Sequence, residues 1–374
     1  VVVFAGGGTG GHLYPALALA QAFVEARPDV RPFFVGASRG VEARILPARG
    51  VEHALLPVEG FPRGAGLAGL RAVPALVRSL GGVLELLRSL RPEMVVVTGG
   101  YAGGPAGIGA GILGIPLALQ EQNAVPGVTT RLLSLWARQV HLAFPEAADR
   151  LPRFARARVR VTGNPVRPAP ALELAEARAA FGLPAAGTVV LAAGGSQGSA
   201  ALNRVLVGAV QGVEQGGLKR PPELLLLWST GPTHHEGVIR ALEAAGSPRW
   251  VRALPYIDDM PAALTAANLA VSRAGAMATA ELLNHGLPAV LVPLPTAAAD
   301  HQTRNARALA SAGAAVVVEE AGLTGEALWR RVLELAQDSA LRERMAAAAR
   351  ARACPQATTL IVSDLLGLLP GHVR

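Results

Sequence analysis

The sequence predicts an α/β protein made of two doubly wound domains with parallel sheets. Three observations predict it. Short apolar runs alternate with helical patterns along the chain, which implies parallel strands joined by right-handed crossovers. A strand–glycine–helix unit occurs at 1–23, at 94–113 and again at 188–210. At 374 residues the chain exceeds one ordinary core, and "VTGNPVRPAPALEL" (161–174) interrupts the pattern with three prolines and a glycine. The expected domains are 1–163 and 164–352. A last amphipathic helix falls in 353–374, and the pattern leaves its packing open.

The first element, "VVVFA" (1–5), is apolar and β-branched, as a parallel strand buried on both faces must be. After "GGGTGGH" a helix follows, with Leu13, Leu17, Ala20 and Val24 on one face. Further strands are expected at 31–35, 116–119, 158–162, 224–229, 269–272, 289–292 and 315–318. The run from 94 to 120 carries no charge, and a run of that length raises the question of a spanning helix. Its eight glycines, with Pro105 and Pro116, fit a strand, a glycine turn, a short helix and a second strand better. Each half thus reads as a Rossmann-like unit, and the two are expected to face each other across a cleft.

Composition narrows the function. Hydrophobic residues make up 51% and charged residues 17%, which excludes a disordered chain. The formal charge of +8 suits an anionic ligand or an acidic membrane face. Aromatics at 4% are too few for stacked single strands, so no nucleic-acid partner is expected. The single cysteine, Cys354, excludes an internal disulfide and a thiolate metal cluster. The start lacks a basic segment followed by an apolar signal core, so a cytoplasmic location is expected.

Glycine loops that enter helix N-termini offer backbone N–H groups and partial positive charge to a phosphate or diphosphate. "GGGTGGHL" lacks the lysine of a P-loop. The second strand ends "FFVGAS" with no acid for a ribose, which disfavours a nicotinamide oxidoreductase. Glu281, in "SRAGAMATAELLNHG" (272–286), is an alternative ribose ligand, or an acid that offsets a helix dipole. His12 stands in a helix's first turn, where the neutral imidazole is favoured. It is either a structural histidine or a general base for a hydroxyl arriving beside a bound diphosphate. No D-x-D occurs, so a metal bridging the diphosphate is not expected. "DD" (258–259) reads as a helix cap before Pro261, and His234, His235 and Glu236 read as a polar turn.

Together, "GGTGGH" (7–12), "GGYAGGP" (99–105), "EQN" (121–123), "GNPVR" (163–167), "GGSQG" (194–198), "YIDDM" (256–260), "SRAGA" with Glu281, and "HQTRNA" (301–306) resemble the MurG family. These are bacterial transferases that move N-acetylglucosamine from a UDP donor to a lipid-linked muramyl-pentapeptide. The resemblance implies a GT-B fold and an inverting reaction without cofactor or donor-site metal. It implies that the first domain takes the undecaprenyl-linked acceptor and the second takes UDP-N-acetylglucosamine. By motif position, Ile257 would present its main chain to the uracil and Arg167 would lie on the nucleotide side. Ser196 with the amides of Gly275, Ala276 and Met277 would hold the diphosphate, and Glu281 would bind the ribose. Thr9, Gly10, Gly11, Asn123 and Gln302 would surround the sugar, and His12 would be the base. The loop of Gly99, Gly100, Tyr101 and Gly104 would serve the acceptor diphosphate.

Three positions depart from the family pattern. Ala278 replaces a threonine, with Thr279 one place on; Gln120 replaces a histidine; His301 replaces a glutamine. The segment 60–90 mixes apolar residues with Arg63, Arg71, Arg78 and Arg88. Leu67, Leu70, Val73 and Val77 form a face for lipid, or for the protein's own sheet. The chain is therefore expected to be peripheral on the inner face of the cell membrane. A non-catalytic membrane scaffold is a further alternative.

Overall fold

The computed structural model describes residues 1–58, 67–166 and 172–369, with the backbone alone for 67–77. Arg63, Arg167 and the side chains of Leu67, Leu70, Arg71, Val73 and Val77 lie outside the described residues. The chain divides into two compact units, one of Val1–Val166 with Gln356–Arg374 and one of Arg167–Pro355.

The first unit runs β1 (Val2–Gly6), α1 (Gly10–Ala26), β2 (Pro32–Ala37), α2 (Glu42–Ala48), β3 (His53–Leu56) and α3 (Leu67–Leu90). It continues with β4 (Met94–Gly99), α4 (Gly100–Leu113), β5 (Leu117–Glu121), α5 (Val128–Leu133), β6 (Gln139–Leu142) and β7 (Val159–Val161). The sheet order is β3-β2-β1-β4-β5-β6-β7, with every pair parallel. Successive side chains of a strand point to opposite faces. Val3, Ala5, Val95 and Val97 therefore face Val83, Leu87, Ala102 and Ala106 of α3 and α4. Val2, Phe4, Met94 and Val96 face Leu13, Leu17, Ala20 and Phe23 of α1. Burial on both sides is why these strands read as unbroken apolar runs.

The second unit runs α6 (Leu174–Ala179), β8 (Thr188–Ala193), α7 (Ala200–Glu214), β9 (Leu224–Ser229), α8 (His235–Ala244), β10 (Val251–Leu254) and α9 (Met260–Ala266). Then come β11 (Leu269–Ser272), α10 (Ala276–Asn284), β12 (Ala289–Leu291), α11 (His301–Ser311), β13 (Ala315–Val317), α12 (Gly325–Gln337) and α13 (Ser339–Arg352). Its sheet order is β10-β9-β8-β11-β12-β13. Helices α7 and α12 pack so closely that a Cβ on Gly325 would sit 2.4 Å from the amide nitrogen of Ala209. The final helix, α14 (Ala357–Leu366), returns to the first unit. Its Ile361, Val362 and Leu365 join the α1 side of that core, and Asp364 pairs with Arg160 at 3.2 Å.

Three strands were not expected from the sequence, β3, β6 and β10. β3 and β10 lie at sheet edges and are half-exposed, so neither carries a continuous apolar run. β6 is interior and buried, but its polar Gln139 and His141 alternate with Val140 and Leu142 and break the apolar run. The uncharged stretch from 94 resolves into β4, α4 and β5. Among the described residues no helix is long and apolar enough to cross a membrane. His235 opens α8 and accepts or donates to the Thr230 hydroxyl at 3.1 Å, so the expected polar turn is the start of a helix.

Candidate active site

In each sheet the chain leaves the central strand in one direction and resumes on its other side. The crevice at that switch point, at the carboxyl ends of the strands, is where this architecture takes ligands. In the first unit it lies between β1 and β4, and in the second between β8 and β11.

The first crevice begins with Gly6–Thr9. Thr9 is the N-cap of α1, with extended backbone and no side-chain cap bond. The three residues after it, Gly10, Gly11 and His12, form the first turn. Nδ1 of His12 lies 3.2 Å from the Gly7 carbonyl and 3.2 Å from the Thr9 hydroxyl. A carbonyl only accepts, so Nδ1 carries the proton and the lone pair resides on Nε2. The Thr98 hydroxyl donates to the His12 carbonyl at 2.8 Å and ties α1 to β4.

Several of the loop's glycines answer to neighbours within the protein. A Cβ on Gly6 would fall 2.0 Å from the Thr98 hydroxyl, one on Gly7 2.0 Å from Oε1 of Glu42, and one on Gly8 2.4 Å from the Tyr101 ring. Gly100 has φ of 74°, and a Cβ there would sit 2.0 Å from the Gly7 carbonyl oxygen. By contrast, a Cβ on Gly11 would meet nothing closer than 3.6 Å, and one on Gly104 nothing within 4 Å.

Glu42 is the residue that sequence reading missed. An acid was sought at the end of β2; it stands five residues later, in the first turn of α2. It is fully buried, and its carboxylate accepts from the Gly8 amide at 2.8 and 3.0 Å and from the Ala37 amide at 2.9 Å. The Gly8 amide is thus committed to an internal anion, and Glu42 is turned away from any ribose.

The end of β5 adds a buried polar cluster. Glu121 accepts from the amide and side chain of Asn123 at 3.1 and 3.2 Å, from the Gly127 amide at 3.0 Å and from the Thr130 hydroxyl at 2.6 Å. Gln120 donates to Asn164 at 3.1 Å, and Asn164 donates to the Gln122 carbonyl at 3.1 Å. Gln122 donates to the Thr98 carbonyl at 2.7 Å. "EQN" and "GN" therefore form one scaffold that holds Asn123 at the crevice edge. Nearby His141 is fully buried, and loss of solvent lowers its pKa to about 4, helped by Arg160. It therefore stays neutral and structural, bonded to Gln139 and Thr162 at 3.2 and 3.4 Å.

The second crevice is built differently. In the loop after β8, Gly195, Ser196 and Gln197 are exposed. Gly198 has φ of 74°, and a Cβ there would sit 2.2 Å from the Thr230 carbonyl oxygen. Ser199 caps α7, accepting from the Leu202 amide at 3.3 Å. Arg273, at the end of β11, is buried and donates to the Ser199 hydroxyl at 2.6 Å. It also donates to the Val292 and Pro293 carbonyls at 3.1 and 3.3 Å and pairs with Glu320.

Gly275 caps α10 with no side-chain bond, and the amides of Ala276 and Met277 open that helix at the carboxyl edge of the sheet. The Thr279 hydroxyl bonds the Gly275 and Ala276 carbonyls at 3.1 and 3.0 Å, so it faces its own helix. Glu281 is half-buried in the second turn, not the first, which removes the dipole-offsetting role. Asn305 of α11 donates to the Ala274 carbonyl at 3.2 Å and fixes this loop from behind. Gln302 accepts from the Leu294 amide at 3.0 Å. Just before α11, Ala299 and Asp300 have φ of 51° and 55°, a left-handed pair without glycine, and such strain gathers at functional segments. Ile257 is buried beside the exposed Asp258, and Asp259 caps α9 through the Ala262 amide at 3.0 Å. Among the described residues no three His, Cys, Asp or Glu side chains form a metal cage.

Both halves of the chain match a known family. Residues 2–142 match the glycosyltransferase family 28 N-terminal domain and residues 189–360 its C-terminal domain. The chain is 41% identical to a Moorella thermoacetica protein over 98% of both chains, and 42% identical to one from Salinibacter ruber over 98% of this chain and 96% of that one. Both relatives are named UDP-N-acetylglucosamine–N-acetylmuramyl-(pentapeptide) pyrophosphoryl-undecaprenol N-acetylglucosamine transferase. The crystal structure of Acinetobacter baumannii MurG is similar with a TM-score of 0.77 at 30% identity, covering 98% of this chain and 99% of that one. The chain belongs to the MurG family. Within this MurG-family chain, Glu42 and Arg273 are the buried charges that back the two glycine loops.

Proposed function

We propose that the chain transfers N-acetylglucosamine from UDP-N-acetylglucosamine to the muramyl 4-hydroxyl of undecaprenyl-diphosphate-linked muramyl-pentapeptide, with inversion. The observation that carries the mechanism is the His12 geometry, with Nδ1 held by the Gly7 carbonyl at 3.2 Å. Nε2 takes the proton of the acceptor hydroxyl as its oxygen bonds to the anomeric carbon. The bond from that carbon to the diphosphate breaks, and UDP leaves with the electron pair. Negative charge grows on the diphosphate, so fixed amides stabilise the transition state more than the ground state.

The second unit supplies those amides. Ser196, Gly275, Ala276 and Met277 hold the diphosphate, backed by the Arg273 cation. Glu281 accepts from the ribose hydroxyls, the main chain of Ile257 meets the uracil, and Arg167 attends the nucleotide. Thr9, Gly10, Gly11, Asn123 and Gln302 address the transferred sugar. The acceptor diphosphate falls to the α4 loop of Gly99, Gly100, Tyr101 and Gly104, because the Gly8 amide is occupied by Glu42.

Peripheral membrane contact on the cytoplasmic side belongs to the same reading. Ile112, Val128, Leu132 and Leu135 are exposed on α4 and α5 and just beyond, Val128 by 72%, beside the exposed Arg131 and Arg138. Exposed apolar side chains with arginines near them in sequence suit an anionic headgroup layer, and the 60–90 sequence has the same mix of apolar residues and arginine. Titration calorimetry in EDTA is the direct test, followed by UDP release in the presence of acceptor. UDP binds without metal and release depends on the lipid-linked acceptor. Binding of NADH in place of UDP, or no release, overturns the reading.

A further inference from the structure

Glu42 is sealed inside the first unit, yet it stands one peptide group away from His12. Its oxygens accept from the Gly8 amide and the Ala37 amide, at 2.8 to 3.0 Å. Glycines surround it. A Cβ on Gly7, Gly36 or Gly40 would lie 2.0, 2.5 or 2.2 Å from its side chain. The N–H of Gly8 and the C=O of Gly7 are the two ends of a single planar peptide. Its N–H end meets the carboxylate, and its C=O end meets Nδ1 of His12 at 3.2 Å. A continuous chain of hydrogen bonds therefore runs from carboxylate through peptide to imidazole.

We propose that Glu42 is a positioning residue for His12, acting through the Gly7–Gly8 peptide as the acidic member of a relayed dyad. The inference rests on the reading of His12 as the base. A charged acceptor at the N–H end draws the peptide's dipole into line and makes its carbonyl a stronger acceptor. The stronger carbonyl holds the proton on Nδ1 and the lone pair on Nε2. It also stabilises the imidazolium that forms when the acceptor hydroxyl is deprotonated, as a triad carboxylate does by direct contact. The relay keeps the carboxylate out of the crevice, where it would repel an incoming diphosphate. Among the described residues, the titratable groups against the loop's glycines are Glu42 of α2, Tyr14 of α1 against Gly10 and Tyr101 of α4 over Gly8. Glu121, at the end of β5, lies behind Gln122 and is saturated by Asn123, Gly127 and Thr130.

A purely structural glutamate makes a different forecast, and Glu42→Gln separates the two. The amide keeps an oxygen for Gly8 and Ala37 and removes the charge. The relay predicts unchanged UDP affinity and acceptor KM, with kcat lower by roughly 10- to 100-fold, the range for residues that orient a functional histidine. The acidic limb of the kcat profile, and the NMR titration midpoint of His12, both move to lower pH by roughly half a pH unit or more. An unshifted midpoint overturns the proposal, whether or not kcat falls. Should Glu42→Gln not fold, the parent protein supplies the answer: the Gly8 amide resonance moves with the His12 midpoint, and a Gly8 resonance that stays still overturns the relay. Neither NMR readout involves transfer. Retained transfer by His12→Gln would instead sink the base assignment and leave the coupling intact.

Discussion

The glycine loops after β1 and after β8 hold the same place in two sheets that share the order 3-2-1-4-5-6, yet opposite charges back them. Behind the first lies Glu42, buried and bonded to the Gly8 amide. Behind the second lies Arg273, buried and bonded to the cap of α7 while paired with Glu320. Topology alone makes both loops suited to an anion. The side chain beneath each decides the outcome. In the first loop part of the anion site is filled from within, and the loop becomes a mount for His12. In the second loop the Gly195–Gln197 segment is exposed, and the buried charge behind it is the Arg273 cation rather than a carboxylate.

The sharpest way to break this comparison is His12→Ala. It should lower kcat by about 10²- to 10⁴-fold, the usual worth of a general base, with UDP affinity unchanged by calorimetry. Full activity would mean that the first loop is not the basic side of the reaction. Arg273→Met comes next. It should raise the UDP Kd by roughly tenfold or more and destabilise the second unit by about 3 kcal/mol or less, since the partner Glu320 keeps some solvent. Parent-like UDP affinity at parent-like stability would remove the cation from the comparison.

The smallest effects come from a pair of glycine substitutions. Gly7→Ala places a methyl against the Glu42 carboxylate and should cost about 1–3 kcal/mol of stability, the usual range for overpacking, with kcat lowered less than in His12→Ala and UDP affinity kept. Gly195→Ala meets no neighbour within 4 Å but must hold φ of 92°, which costs about 1–2 kcal/mol; it should weaken UDP and spare kcat. Urea melts with paired binding and rate measurements check both, and an identical profile for the two variants would erase the distinction between the loops.

Much of this was legible in the residues. The interior strands β1, β4, β8 and β11 announced themselves because burial on both faces demands unbroken apolar runs. His12 stood out at the start of α1, Glu281 as an acid in the helix after a glycine turn, and Asn123 through the family motif at the end of β5. The edge strands β3 and β10 did not, since "HALL" and "VRAL" are half-exposed and short, nor did the buried β6, where "QVHL" alternates polar and apolar residues. Arg273 was read as part of "SRAGA" without its role, because its partners Ser199, Val292, Pro293 and Glu320 come from separate segments. Glu42 gave no local sign at all; its partner Gly8 is 34 residues away.

Most strand positions, the helices that follow them and the glycine loops at strand ends follow from spacing, because hydrophobic periodicity and glycine conformation act over a few residues. The packing of α14 on the first unit, the glycines' true neighbours and the charge behind each loop were settled only when distant segments met. Such contacts join side chains to backbone groups across tens of residues, and no local pattern records them.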